Sequence, residues 1–187
     1  MDLVFFGIQG SGKGTQARKL AEGFGYKLFE TGAALREIAK TDSDLGRTVK
    51  STIDAGHHLS ADIVMDVLRT AVLEHRKETQ MIFDGIPRNV DQMVPFEAVL
   101  QEAGREFRCI ELHMDEEAAV KRLLKRAETE GRVDDASEEP IRRRMQLFHD
   151  KTQPIIEMYR KRGLVTDIDG EGEAEEVYER LKGALGL

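Results

Sequence analysis

The stretch that most constrains this chain is Gly7-Ile8-Gln9-Gly10-Ser11-Gly12-Lys13-Gly14-Thr15. It follows the apolar run Leu3-Val4-Phe5-Phe6 and opens a helical segment from Lys13 to about Phe24. A strand that runs into a glycine turn and then a helix is the setting in which this spacing cradles a phosphate. Glycines let successive backbone N–H groups curl around an anion without a Cβ clash. The helix N-terminus adds the positive end of its dipole. Lys13 brings a movable charge to the outer phosphates of a nucleotide. A glycine-rich turn beside an idle surface lysine is the plain alternative. Three glycines and a lysine in register directly after a strand count against it. One position departs from the strict motif: Gly14, not Ser or Thr, follows the lysine, and Thr15 comes one later.

The remaining sequence alternates short apolar runs with longer helical periods. Further strands are expected at 27–29, 81–83, 107–112 and 164–168, and helices at about 60–76, 90–103, 115–129, 137–162 and 173–185. Strands separated by helices imply crossover units and a parallel sheet. Strands that are apolar throughout, rather than alternating, suit a sheet covered on both faces. Residues 30–59 break the rhythm as a helical insertion, and 127–136 form a polar, hinge-like stretch between two long helices. Asp115 and Ser137 are placed to cap helices, and Pro140 falls in a first helical turn. Pro154 should kink or break the helix it interrupts.

Composition narrows the function classes. The chain has 187 residues, enough for one α/β domain that buries roughly 70% of its unfolded surface. Cys109 is the only cysteine, so neither an internal disulfide framework nor a multi-cysteine zinc site is possible. It reads as a core residue of its strand. The net charge of -7 lacks the basic footprint of a nucleic-acid binder. No run approaches the ~18 apolar residues of a membrane span. The first residues lack the charged and apolar regions of a signal peptide. A cytoplasmic location is therefore expected.

The loop through Gln16 resembles that of the adenylate kinase family, and the resemblance extends along essentially the whole chain. Thr31-Gly32 with Leu35-Arg36, Asp54-Ala55-Gly56, and Asp84-Gly85-Ile86-Pro87-Arg88 followed by Gln92 match its motifs in order. So do Arg122 and Arg126, Gly131-Arg132 with Asp134-Asp135, Arg144, and Asp169-Gly170. The resemblance implies a P-loop NTPase-like α/β fold: a five-stranded parallel sheet flanked by helices. The core would comprise residues 1–29, 60–125 and 137–187, with an AMP-binding helical insertion at 30–59 and a short lid at 126–136. It implies reversible transfer of a phosphoryl group between ATP and AMP by a monomer that uses Mg²⁺ and no zinc.

By the same resemblance, Gly10, Ser11, Gly12, Lys13, Gly14, Thr15, Arg122, Arg126 and Gly172 bind ATP. Thr31, Arg36, His57, His58, Leu59, Gly85, Ile86, Pro87, Arg88, Gln92, Arg132 and Arg144 belong to the AMP side. Lys13, Arg88, Arg126, Arg132 and Arg144 are the catalytic cations, and Asp84 holds Mg²⁺ through water. Guanidinium suits these roles because its fork binds phosphate oxygens in pairs. Arg142, Arg143 and Arg144 cannot share a face, since neighbours on a helix lie about 100° apart; only Arg144 is assigned. The adjacent His57 and His58 read as a loop pair, with no third ligand placed by sequence.

Three positions depart from the family: Gln9 replaces a proline, Ala33 an aspartate that helps hold metal-bound water, and Ile86 a phenylalanine beside the nucleotide. Asn89 and Asp91 resemble the pattern of UMP/CMP kinases of the same fold, whereas Thr31 and Gln92 are the adenylate kinase choices. A nucleotide-binding regulatory module with weakened catalysis is a second alternative, supported only by Ala33 and Gln9. A GTPase is disfavoured because no guanine-reading NKxD pattern occurs.

Overall fold

The computed structural model describes residues 1–54, 59–130 and 136–187. Its five strands are Asp2–Phe6 (β1), Lys27–Glu30 (β2), Met81–Asp84 (β3), Phe107–His113 (β4) and Val165–Asp169 (β5). All are parallel, in the order β2-β3-β1-β4-β5. Each matches an expected run.

Alternate residues of these strands enter two apolar layers. Leu3, Phe5, Ile82 and Ile110 pack with Ala17 and Leu20 of α1 (Lys13–Phe24) and with Val177 and Leu181 of α9 (Ala174–Leu185). Val4, Phe6, Phe83 and Cys109 face the opposite layer. That layer is built from α4 (Ala61–Leu73), α5 (Val90–Glu102), α6 (Glu116–Glu130), α7 (Glu138–Leu147) and α8 (Gln153–Lys161). A sheet covered on both sides is why the strands read as unbroken apolar runs. Burial raises the pKa of the Cys109 thiol, as suits a core residue.

In the region expected to be a helical insertion, α2 (Thr31–Ala39) and α3 (Asp44–Asp54) follow β2. Asp115 caps α6 by accepting the Ala118 N–H at 2.9 Å. Ser137 precedes α7 but its side chain makes no cap bond. The long helix expected over 137–162 is divided. After α7 a π-helical turn, Phe148–Thr152, widens the backbone, and Pro154 then lies in the first turn of α8. The wide turn accommodates a residue that lacks a donor and clashes with the preceding turn. The polar stretch at 127–136 begins inside α6, because nothing before Gly131 breaks that helix. Among the described residues, no helix is long and apolar enough to cross a membrane.

One buried ion pair fastens the end of the sheet remote from the glycine loop. Arg105 Nη1 reaches both Asp2 carboxylate oxygens, at 3.2 and 3.1 Å. The same guanidinium donates to the Thr79, His75 and Arg76 carbonyls in the turn after α4. Asp2 in turn accepts the Met81 N–H at 2.9 Å.

Candidate active site

Every parallel strand ends on the same side, and open α/β sheets bind ligands there. The loop after β1 carries the glycine motif. Gly12, with φ 91°, is the N-cap of α1 and has nothing within 4 Å of where a Cβ would stand, so its role is conformational. Gly10, with φ 86°, also lies where a Cβ would sit 2.8 Å from the Ala119 carbonyl. No side chain caps α1. Its first N–H groups are therefore left facing the loop, as an anion site requires. Ser11 Oγ and Gln9 Oε1 are buried without a hydrogen-bond partner. Orphaned polar atoms in a binding loop fit a ligand that completes them. Gly14 lies in the first turn of α1, and Thr15 beside it is exposed.

Lys13 Nζ donates to the Ile8 carbonyl at 3.3 Å, inside the loop. Desolvation pushes the Lys13 ammonium below its usual pKa; Asp84 pulls it up, and Arg88, Arg126 and Arg144 push it down. Lys13 therefore lies within electrostatic reach of three arginines and one carboxylate. Arg88 is likewise lowered, first by burial, with Asp84 opposing and Arg144 adding. A polyphosphate bound at the loop would meet cations from several elements at once. Of the three consecutive arginines in α7, Arg142 spends its charge on Glu117 and Glu138, at 2.8 and 2.6 Å. Arg144 lies within electrostatic reach of Lys13 and Arg88.

Beside the loop, Arg122 Nη2 donates to the Gly172 carbonyl at 3.0 Å. This joins α6 to the turn after β5, the elements that carry Arg122 and Gly172, both expected to bind ATP. On the other flank, Thr31, Leu35, Leu59, Val64, Gly85, Arg88 and Gln92 line a cleft. Asn89 caps α5 by accepting the Gln92 N–H at 2.9 Å. Gln92 Oε1 accepts the Arg88 N–H at 2.9 Å, which leaves its NH₂ as the side chain's remaining hydrogen-bonding end. Arg88 Nε donates to the Gly85 carbonyl at 2.7 Å. Ile86, expected beside the nucleotide, packs into the same apolar cluster as Val64 and is 1% exposed. Pro87 follows it through a cis peptide bond. The Arg36 guanidinium folds over Gly32 in α2. His57, His58 and Arg132 lie outside the described residues.

Thr152 was not singled out by the sequence. Its hydroxyl donates to the Arg88 carbonyl at 2.9 Å, tying the acceptor-side loop to the helix pair that carries Arg144. The break expected at Pro154 was the only hint. A second polar group, Glu111, His113 and Asp167, was also unforeseen, and Arg160 pairs with both of its acids.

Asp84 ends β3. Its Oδ1 is buried without a hydrogen-bond partner, and its Oδ2 lies 3.4 Å from where a Gly14 Cβ would stand. An unpaired buried carboxylate oxygen against a phosphate loop fits a hydrated Mg²⁺, which keeps most of its waters and uses one or two carboxylates.

A sequence model of the adenylate kinase family matches residues 5–164. An adenylate kinase of Thermus thermophilus is 37% identical over 186 residues, spanning 99% of this chain and 97% of its own. One from Clavibacter michiganensis is 37% identical over 98% of this chain and 92% of its own. One from Phocaeicola vulgatus is 34% identical over 99% and 98%. Similarity of this extent, with a family model matched over residues 5–164, places the chain in the adenylate kinase family.

Proposed function

We propose that this protein transfers a phosphoryl group reversibly between ATP and AMP, giving two ADP. The observation that carries this reading is the convergence of Lys13, Arg88, Arg126 and Arg144 between the glycine loop and the Thr31–Gln92 cleft. Phosphoryl transfer passes through a loose transition state with charge spread over the moving oxygens, so catalysis is mostly positioning and positive charge. The loop N–H groups and Lys13 hold the donor, while Arg122 and Gly172 border its base. Arg88 and Arg36 hold the acceptor phosphate. Arg126 and Arg144 meet the group in transit, and Arg132 closes over it from the lid. His57 and His58 complete the acceptor side through backbone groups. Asp84 would hold Mg²⁺ through its water shell; when bound, the ion neutralises phosphate charge. The protein is taken to be a cytoplasmic monomer that needs no zinc.

Acceptor choice rests on Gln92. With Oε1 fixed by the Arg88 N–H, its NH₂ suits the ring-nitrogen acceptor of adenine and opposes the N–H of uracil. Asn89, shared with the pyrimidine kinases, is occupied as a helix cap. A site that hydrogen-bonds a base rejects the wrong one because its buried polar groups are left unpaired. Steady-state competition among AMP, UMP and CMP should show AMP preferred by at least tenfold, with Gln92→Asn narrowing the gap. Preference for UMP or CMP in the parent would replace this reading with the pyrimidine kinase.

A further inference from the structure

Family members hold metal-bound water with an aspartate where this chain has Ala33. We propose that Glu30 supplies the missing second carboxylate, from the end of β2 rather than from α2. The proposal rests on Asp84 as the first metal-facing carboxylate.

Glu30 and Asp84 are directly paired in the parallel register of β2 and β3. Paired residues on neighbouring strands present their side chains to the same face. Two residues earlier, Leu28 and Ile82 both belong to the apolar layer under α1. Glu30 and Asp84 therefore emerge on the α1 side, where that helix begins. Gly14 lies beside Asp84 and Arg18. A Cβ there would lie 3.4 Å from Asp84 Oδ2 and 3.5 Å from Arg18 Nη1, and Arg18 Nη1 is 2.7 Å from Glu30 Oε1.

Glu30 holds the N-cap position of α2, yet its side chain does not cap that helix and is committed to Arg18. The pair is partly open to solvent, with side chains 31% and 52% exposed, so it is weak and readily exchanged. Two carboxylates thus stand on one side of the loop, and Oδ1 of Asp84 has no hydrogen-bond partner. Hydrated Mg²⁺ keeps most of its waters and can be held through them by one or two carboxylates. Arg18 holds Glu30 in place until the cation arrives.

The test uses Mn²⁺ as the probe. Free Mn²⁺ is followed by EPR during titration into the full chain saturated with a non-hydrolysable ATP analogue, and the Mg²⁺ concentration for half-maximal kcat is measured alongside. Glu30→Gln should weaken Mn²⁺ binding three- to tenfold and raise the Mg²⁺ requirement by a similar factor. Analogue affinity without metal should not fall. Adding Ala33→Asp to Glu30→Gln should restore both values. Arg18→Gln should leave Mn²⁺ binding at the parent level or tighten it. If Arg18→Gln instead reproduces the Glu30→Gln loss, Glu30 acts only through its ion pair and the proposal is overturned. If Asp84→Asn weakens binding while Glu30→Gln does not, the Glu30 proposal alone falls. If neither variant changes binding, the metal placement at Asp84 falls and takes this proposal with it.

Discussion

Lys13→Met should lose about a thousandfold or more in kcat, some 4 kcal/mol of transition-state stabilisation. Lys13 is the only lysine among the groups acting at the glycine loop, and its Nζ already sits on the Ile8 carbonyl inside that loop. No neighbour can take over a charge placed there, because Arg88, Arg126 and Arg144 approach on other elements. The same substitution should not lower the melting temperature. Desolvation depresses the Lys13 pKa in the folded chain. A cation whose folded pKa lies below its unfolded value costs stability throughout the pH range below the folded pKa. That cost fades only as pH rises towards the unfolded value. At neutral pH, removing the ammonium therefore removes a cost. Loss of activity together with loss of fold would point to a structural lysine. Near-normal turnover would remove the loop from the catalytic account.

Arg105→Met should be the most damaging single change to stability, at about 3–5 kcal/mol. For a domain of this size that lowers the melting temperature by about 6–20 °C. Arg105 and Asp2 have side chains 1% and 4% exposed, so the variant strands a carboxylate in the interior. It also strips a donor from three carbonyls in the turn after α4. Breaking one partner of a buried pair costs more than replacing both. Asp2→Asn in the same chain should accordingly recover part of the loss. The pair sits at the start of β1, away from the strand ends that form the site, so kcat at 25 °C should stay within twofold of the parent. Differential scanning calorimetry with parallel kinetics separates the two effects. A melting temperature within 3 °C of the parent would show that the pair contributes little.

Much of this was legible before the structure because it is local. The strand, loop and helix from Asp2 to Phe24 are neighbours in sequence. The Pro154 break follows from one residue's missing N–H. The helical angle keeps Arg142 and Arg144 off one face, the resemblance singles out Arg144, and the structure gives Arg142 its own acidic partners. What was not legible depends on distant register. Arg105 reads as a lone surface arginine, since Asp2 is 103 positions away. Glu30 becomes interesting only when β2 pairs with β3, 54 positions later, so that it stands beside Asp84. Ile86 shows the same limit from the other side. Its motif names the position, and only the packing shows that its side chain joins the core cluster.

The most direct test of the account is ³¹P NMR of the purified chain given ADP and Mg²⁺ alone. A two-nucleotide site with one donor loop and one acceptor cleft must run backwards as well as forwards. ATP and AMP resonances should therefore grow together in equal amounts, and the same final mixture should be reached from ATP plus AMP. ADP that stays unchanged, or that yields AMP and inorganic phosphate without ATP, would contradict the account.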